Sequence, residues 1–541
     1  MSSDPSWRVH TREPRGVAEP ITRLRDRDEL EPYLDDAAHY TGGHCREVCL
    51  PRNEAEVASV LASGEPVLPV GAQSSLTGGA TPRGGVVVSL ARMNAIEAWA
   101  STSVRLGPGV VLAELEQALR ERDFYYPPQP TFDGATVGGI VATNAAGAAT
   151  FKHGTTRAWV RALTVVLANG EVLELERGQV TAGAEGVFEI VSTSGEVTTV
   201  AVPTYTLPAV PKCSAGYHAE PEMDLVDLFI GAEGTLGVIV QVELRLLERR
   251  PALFAGLVPT RDDVAALALV SALREASQRT WAASDSKGVD VAAVEYMDAR
   301  CLALLREDGA DGELAGALAG AGAALLFQGE LDPDMSRERA FHELGRVTDA
   351  TLDTPLVRLG RLLDDHGMLD VTVPALPGET ARRDGLFRLR EAVPEAVNRR
   401  IKDAQRTVDA SITKSASDVI VPVEHLAQSL DRYREVLARH GLDHAIWGHI
   451  SDGNVHPNVL PHSAAEAASA RRAQLEIGDV AIGLGGCPMS EHGVGRNPIK
   501  QQLLVRLYGS DGVADMRRVK RALDPCGVLA PGVIFTEESS P

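Results

Sequence analysis

The chain has 541 residues, of which 44% are hydrophobic and 23% charged, and its formal net charge is −21. This composition is typical of a soluble globular protein, and the length exceeds what one hydrophobic core usually serves, so two or three domains are expected. The acidic excess argues against a nucleic-acid-binding protein and against docking on anionic lipid, because both need a basic surface.

The cysteine pattern and the apolar runs indicate an intracellular protein. None of the six cysteines forms a Cys-x-x-Cys pair, which disfavours a zinc knuckle or an iron–sulfur cluster and favours free thiols in a reducing compartment. The N-terminus shows no apolar signal segment, and the longest apolar run, 314–327, is shorter than the roughly 20 residues of a membrane span. We therefore expect a cytoplasmic protein without a transmembrane segment, and leave open peripheral association with the inner membrane.

The first half of the chain alternates short helices and strands. Residues 1–45 are charged and irregular, and are expected to wrap the surface. NEAEVASVLAS, with a capping residue at Asn53, and VLAELEQALRERD predict amphipathic helices, whereas PVLPVG and GGVVVSL predict short strands. WVRALTVVLANGEVLELE predicts a β-hairpin around Asn169-Gly170, and LFIGAEGTLGVIVQVELRLL predicts a turn and a long strand.

The second half has a different texture. After Pro251, long Ala/Leu-rich helices such as RDDVAALALVSALREASQR alternate with isolated strands such as DVIVPV. We expect one α+β domain over 1–250 and a second over 251–484. Residues 485–541 contain a helix and a Pro/Gly-rich tail, which are too short for a core of their own and should dock on another domain.

Three glycine-rich loops in the first domain point to an anionic ligand. They are VGAQSSLTGGA (70–80), PPQPTFDGATVGGIVATNAAG (127–147) and the stretch Gly231–Gly234. Loops of small residues let backbone N–H groups approach a phosphate. Any one of them could be only a tight turn, but together they favour a diphosphate held from two sides. The G-x-G-x-x-G and P-loop motifs are absent, so a dinucleotide would need a different fold.

Two histidines flank the sharpest turn signal of the chain, in GHISDGNVHPNV (448–459). A two-residue turn at Asp452-Gly453 would set His449 directly opposite His456, with Cβ atoms roughly 5 Å apart, within reach of one divalent ion. The alternative is a pair of hydrogen-bonded core histidines. The later stretch SEHGVGRNPIK offers Glu491 and His492, of which one could ligate and the other do chemistry.

The order of these motifs resembles the vanillyl-alcohol-oxidase-type (PCMH-type) flavoproteins from about Pro51 to Phe535. More specifically, it resembles the family of FAD-linked D-lactate/D-2-hydroxyacid dehydrogenases and glycolate oxidase flavoprotein subunits. The resemblance implies an α+β fold with an FAD-binding domain of two α+β subdomains. It also implies an α+β cap with an antiparallel sheet and a C-terminal segment that returns to the FAD domain.

The resemblance also implies an FAD site. Some relatives attach FAD covalently through a histidine of the first loop, where this chain has Gln73 and Ser74, so FAD should be non-covalent; His44 and His153 are alternatives for a covalent link. The implied FAD residues are Val70, Gly71, Ala72, Gln73, Ser74, Ser75, Leu76, Thr77, Pro130, Thr131, Thr136, Gly138, Gly139, Ala142, Thr143, Asn144, Gly147, Glu233, Gly234, Gly237 and Ile239.

For the second site, the resemblance implies His449, His456 and Glu491 as ligands of zinc, manganese or iron. His492 would be the base, Asn454 would contact substrate, and Arg390 would clamp a substrate carboxylate, as a planar guanidinium can. Most helical arginines are only solvated, which is the plain alternative for Arg390. Lys414 does not have the spacing of the family's substrate lysine, and Lys500 is expected at the surface or near FAD.

The expected activity is FAD-dependent oxidation of a 2-hydroxy acid, of D configuration, to the 2-oxo acid. The metal would polarise the hydroxyl, His492 would take its proton, and the hydride would pass to flavin N5. A separate electron acceptor is implied: quinone, cytochrome, electron-transfer flavoprotein or oxygen. A homodimer stays open. The alternatives are a metal-dependent hydrolase or lyase that uses the same ligand set, and non-redox chemistry on this fold, as in ether-lipid synthases.

Overall fold

The computed structural model describes residues 5–128, 130 and 132–536, so Thr131 of the implied FAD set lies outside the described residues. The strands are β1 Arg8–His10, β2 Thr22–Leu24, β3 Glu47–Leu50, β4 Val67–Val70, β5 Val86–Ser89, β6 Ile96–Trp99, β7 Ser103–Leu106, β8 Phe124–Tyr125, β9 Val160–Val166, β10 Val172–Glu176, β11 Val187–Val191, β12 Val197–Ala201, β13 Val238–Arg245, β14 Leu247–Glu248, β15 Ala252–Thr260, β16 Val291–Asp298, β17 Ala323–Leu331, β18 Val373–Ala375, β19 Ser415–Ala416, β20 Val419–Ile420, β21 His444–His449 and β22 Asn454–Val459.

The helices interleave with these strands throughout, as the alternating sequence pattern predicts. They are α1 Arg27–Leu30, α2 Glu54–Leu61, α3 Leu112–Arg120, α4 Val137–Ala142, α5 Thr150–His153, α6 Leu225–Phe229, α7 Asp263–Ala283, α8 Ala299–Glu307, α9 Arg337–Leu344, α10 Pro355–Asp365, α11 Thr380–Thr407, α12 Leu426–Arg439, α13 Ala464–Gly483 and α14 Pro498–Leu523.

Two sheets in the first half build the framework of the glycine-rich loops. One has the order β2-β3-β5-β4, with β3 and β4 parallel to β5; the other is antiparallel with the order β10-β9-β13-β7-β6. The hairpin predicted at Asn169-Gly170 is confirmed, because β9 and β10 pair around it and Gly170 adopts a φ of +87° that a side chain would strain.

The N-terminal segment is more ordered than its sequence suggests. The short strand β1 pairs in parallel with β11, and β2 adds an antiparallel edge to β3. Arg12 donates to both carboxylate oxygens of Glu54 at 2.7 and 2.8 Å, which attaches the segment to α2. Charged residues without hydrophobic periodicity therefore bind the surface through ion pairs and strand edges, a pattern that periodicity cannot reveal.

An antiparallel sheet of the second half carries the strands of the histidine hairpin. Its order is β18-β15-β17-β16-β21-β22-β19, with β20 paired to β22, and the pairings found among its strands are antiparallel. The helices α7, α8, α11 and α12 pack on it through two apolar clusters. The α+β fold class with an antiparallel cap sheet is confirmed.

The C-terminal segment packs against the first half of the chain. Met489, Leu503, Met516 and Ile534 belong to the same apolar cluster as the strands β7, β9 and β13. The long helix α14 bends at Gly509, whose φ of +73° lies outside the helical region. The boundaries at residues 250 and 484 stay a prediction.

Two further properties concern the cysteines and the helices. Each of the six cysteines is a free thiol. Across residues 5–128, 130 and 132–536, no helix combines the length and the apolar composition that crossing a bilayer requires.

The capping residue of α2 allows a direct test of the fold. The Asn53 side chain accepts a hydrogen bond from the Glu56 backbone N–H at 3.0 Å. Replacing a capping Asn by Ala costs about 1 kcal/mol. Asn53→Ala should therefore lower the urea midpoint followed by circular dichroism, whereas Asn53→Asp, which keeps an acceptor, should not. An equal loss in both variants would contradict the assigned cap.

Candidate functional site

The glycine-rich loops of the first half enclose one large cavity. It has a volume of about 280 Å³ and is partly open to solvent. Most of the implied FAD residues line it: Val70, Gly71, Ala72, Gln73, Ser74, Ser75, Leu76, Pro130, Thr136, Gly138, Gly139, Ala142, Thr143, Glu233, Gly234, Gly237 and Ile239. The three loops, separate in sequence, thus form the walls of a single cavity.

The loops meet so closely that the cavity has the features of a cofactor cradle. A Cβ atom on Gly71 would lie 2.2 Å from Thr136 Oγ1, so a larger residue there would have to displace this hydroxyl. Thr136 Oγ1 is buried and has no hydrogen-bond partner among the described atoms. Gln73 and Glu233, which face the cavity, have positive φ values of 52° and 51°. An unpaired buried hydroxyl and strained loop residues are typical of a ligand site, and they fit FAD.

Three implied FAD residues stand behind the cavity wall instead of on it. Asn144 accepts from the Arg157 backbone N–H at 2.9 Å, the Thr77 hydroxyl bonds to Ser75 at 3.0 Å, and the Gly147 N–H donates to a side-chain oxygen. The structure therefore gives these positions a supporting place in the loops.

The histidines considered for a covalent link lie elsewhere. His44 Nδ1 is 3.1 Å from the Gly42 carbonyl oxygen, and His153 Nε2 is 2.9 Å from Glu330 Oε1. Among the described residues that line the cavity, neither histidine is present.

The predicted register of the histidine hairpin is wrong by two residues. After His449 the chain makes a 3-10 turn over Ile450–Asp452 before Gly453, at φ +90°, leads into β22. This longer connection sets His456 opposite Trp447, not opposite His449. Because side chains alternate with a period of two, a two-residue shift keeps both imidazoles on one face. Their ring centroids are 5.8 Å apart.

The imidazoles converge on a single oxygen atom. Glu491 Oε1 lies 3.5 Å from His449 Nε2, 3.3 Å from His456 Nε2 and 3.4 Å from His492 Nε2. His492 also stacks on His456, with ring centroids 5.3 Å apart. Two histidines and a carboxylate that leave open positions suit a catalytic transition metal.

Asp418 completes the cluster, and sequence reasoning missed it. Potential ligand atoms of Asp418, His456, Glu491 and His492 all lie within 4.8 Å of one another. Asp418 accepts from the backbone N–H groups of Glu491 and His492 at 3.1 and 2.9 Å and lies 3.5 Å from Lys500 Nζ. Lys500, expected at the surface or near FAD, is buried beside this carboxylate. The donor set fits zinc, manganese or iron.

A second carboxylate connects Arg390 to the histidines. Glu295 Oε2 accepts from Arg390 Nε at 2.7 Å, and its other oxygen bonds His449 Nδ1. A carboxylate on Nδ1 leaves Nε2 of that ring as the ligating nitrogen. No hydrogen bond to the two terminal nitrogens of Arg390 is found among the described residues, and Arg390 is not among those that line the cavity.

The buried amide of Asn454 also has an unsatisfied hydrogen-bond acceptor. Its Nδ2 donates to the Val419 carbonyl at 2.8 Å and to the Ser490 hydroxyl at 2.7 Å, while Oδ1 is buried without a partner among the described atoms. Neither Asn454 nor Lys414 is among the described residues that line the cavity.

The pKa shifts of His456 and Glu491 suit a cation site, whereas that of His449 opposes one, because a charged imidazole cannot ligate a cation. Burial lowers the pKa of His456 to about 4, which keeps the ring neutral. Burial also lowers the pKa of His449, but Glu295 and Glu491 outweigh it and raise it to about 9. Burial would raise the pKa of Glu491, yet Lys212 and His449 hold it well below its usual range. An ion held by His449 would have to displace the proton on that ring.

The glycine-rich loops and part of the histidine cluster border the same cavity. Glu491 and His492 line the same cavity as the glycine-rich loops. Residues 260–534 match the sequence profile of FAD linked oxidases, C-terminal domain, and residues 46–176 match that of the FAD binding domain. The chain belongs to the FAD-linked oxidase family. It is an FAD-dependent oxidoreductase, and the family resemblance seen in the sequence is confirmed.

Known proteins resemble this FAD-linked oxidase over most of its length. A D-lactate dehydrogenase of Anaerostipes hadrus is 28% identical, covering 87% of this chain and 84% of its own. The glycolate oxidase subunit GlcD of Bacillus subtilis (strain 168) is 26% identical, covering 91% and 89%. A solved 4-ethylphenol oxidase from Gulosibacter chungangensis superposes with a TM-score of 0.59 at 15% identity over 96% and 94%, which shows the fold alone.

Several residues of this FAD-linked oxidase that support the site carry a weak sequence signal or none. Glu295 interrupts an otherwise apolar strand, which marks a buried polar group with a partner. Asp418 is the first residue of the segment DVIVPV and directly precedes β20. Arg157 and Lys212 have no motif that would single them out.

The contacts of Arg157 predict that this residue helps to retain FAD. Its guanidinium donates to the carbonyl oxygens of Asp227 and Ile230, each at 2.6 Å, and so holds the loop that starts at Gly231. Charge-assisted bonds contribute about 1.5–3 kcal/mol each. Arg157→Met should bind FAD about tenfold more weakly or worse, measured by the flavin that remains after gel filtration.

The matched control is Arg161→Met on the adjoining strand, whose side chain is 44% exposed. It should retain FAD as the wild type does. Equal retention by Arg157→Met and the wild type would contradict the supporting role of Arg157.

Proposed function

We propose that the chain oxidises a 2-hydroxy acid of D configuration to the 2-oxo acid. The observation that carries the proposal is that Glu491 and His492 line the cavity formed by the FAD loops. A substrate in this cavity can contact the FAD and the metal site at once. The names of the two relatives, D-lactate dehydrogenase and glycolate oxidase subunit, describe enzymes acting on 2-hydroxy acids, and the first name specifies the D enantiomer. Membership of the FAD-linked oxidases favours this function over a metal-dependent hydrolase or lyase.

The bound groups would supply the chemistry that side chains cannot. FAD, when bound, accepts the substrate hydride at N5 and is the redox centre. His449, His456 and Glu491 would hold a divalent zinc, manganese or iron ion, which would act as a Lewis acid on the substrate hydroxyl. Non-covalent FAD is supported by the absence of His44 and His153 from the described cavity lining.

The chain's own residues bind the acid and move one proton. The terminal nitrogens of Arg390 would hold the carboxylate, since Glu295 engages only its Nε. His492 is the most exposed imidazole of the cluster, at 28%. Its Nδ1 lies 3.4 Å from Asp418 Oδ2, so the carboxylate can keep a proton on Nδ1 and leave Nε2 to accept the hydroxyl proton. Asn454 Oδ1 would accept from substrate.

The experiment that tests the function is an anaerobic flavin-bleaching screen with matched D- and L-2-hydroxy acids. A D-acid should reduce the flavin of the metal-loaded protein, and its L-enantiomer should not. Removing the metal with a chelator should slow reduction about 100-fold, because a Lewis acid contributes several kcal/mol to the barrier. Adding the ion back should restore the rate.

Each arm of the screen has its own negative result. An oxidised flavin spectrum with every D-acid would refute the substrate class. Unchanged rates after complete chelation would refute the metal's role and leave the flavin chemistry standing.

The carboxylate clamp can be tested separately. A lysine cannot reproduce the bidentate fork of an arginine. Arg390→Lys should therefore raise KM about tenfold or more, measured by steady-state kinetics, with flavin content unchanged. Arg388→Lys, an exposed position on the same helix, is the control and should keep the wild-type KM; equal KM values for both variants would remove Arg390 from the substrate site.

A further inference from the structure

A buried lysine from the first half of the chain reaches the histidine cluster. Lys212 lies in the connection between β12 and α6, and its side chain is fully buried. Its Nζ is 2.9 Å from Glu491 Oε2 and 3.1 Å from Asp452 Oδ2. A buried ammonium is costly unless paired, so this contact is a fixed feature of the fold.

The two oxygens of Glu491 therefore have separate partners. Oε2 is bound to Lys212, whereas Oε1 faces the Nε2 atoms of the three imidazoles. A free carboxylate can offer both oxygens to one cation. With Oε2 held by an ammonium, only Oε1 is left for the ion.

Lys212 also reaches the hairpin turn that follows His449. Asp452 Oδ1 accepts from the Asn454 backbone N–H at 3.1 Å, while its Oδ2 faces Lys212. The chain next to Lys212 runs alongside the Glu491 segment, since the Ser214 N–H donates to the Met489 carbonyl at 2.9 Å. One side chain thus contacts both segments that carry the candidate ligands.

We propose that Lys212 is a positioning residue that makes Glu491 a one-oxygen ligand and keeps a coordination position open for substrate. The inference rests on the metal site of the proposed function. Lys212 is not itself among the described residues that line the cavity and, by this assignment, does not touch the substrate; it acts through Glu491, which lines the cavity. Residues that orient a ligand in this way are worth about 10–100-fold in metal affinity or activity.

The test replaces Lys212 by methionine and uses Co²⁺ as a spectroscopic probe of coordination number. Chelator-treated holoenzyme is loaded with Co²⁺, and the d–d absorption is read as a difference spectrum beyond the flavin bands. In Lys212→Met the released Oε2 should join the ion, and the higher coordination number should weaken the absorption per bound cobalt. Turnover should fall about 10–100-fold with flavin content retained. A merely structural role would lower occupancy without changing the spectrum of each bound ion.

Two controls separate this role from general destabilisation. Lys152 pairs with Asp290 and Glu330 at 2.7 and 2.6 Å, again joining the first half to the second, and among the described residues it has no ion pair with His449, His456 or Glu491. Lys152→Met should keep the wild-type cobalt spectrum. Asp452→Asn, which leaves the pair between Lys212 and Glu491 in place, should keep it as well.

The outcomes distinguish this inference from the function on which it rests. A Lys212→Met spectrum equal to the wild type per bound cobalt overturns the role of Lys212 alone. Failure of the wild type to bind Co²⁺ overturns the metal site and this inference together. If Lys212→Met does not retain FAD, Lys212→Gln takes its place, and an unchanged spectrum there likewise overturns the inference.

Discussion

The candidate site depends on keeping one buried carboxylate, that of Glu491, ionised. The Glu491 side chain is 9% exposed, and burial by itself would favour its neutral form. Lys212 and His449 supply the positive charge that keeps it ionised. An unpaired buried charge is strongly destabilising, so the segments that carry these groups have to meet at one point. That meeting point lies on the wall of the FAD cavity.

The same logic explains how an acidic chain can hold an anionic cofactor and act on an acid. The net charge of −21 is not concentrated at the site. The cradle is made largely of glycines, hydroxyls and backbone, which offer N–H groups without adding charge. The cations are local and each has its own carboxylate: Arg390 with Glu295, Lys212 with Glu491 and Lys500 with Asp418.

Sequence patterns predicted elements well where the information is local. The cap at Asn53 and the hairpin at Asn169-Gly170 depend on neighbouring residues, and both form as expected. The connection after His449 is not the predicted two-residue turn, because a 3-10 turn over Ile450–Asp452 lengthens it. Such a turn has no distinct sequence signal. The prediction that both imidazoles share a face survived, since the register error was an even number of residues.

By itself the sequence determined the fold class and the FAD family, because these depend on motif order. The ligand set His449, His456 and Glu491 stays a prediction from the family resemblance. Only the tertiary structure decided which of Glu491's oxygens faces the imidazoles, and that Asp418, Glu295 and Lys212 surround them. These groups come from strands and connections up to 279 positions apart. These groups come together because the two halves of the chain pack against each other and because each buried charge needs a partner. Neither effect can be read from a local sequence pattern.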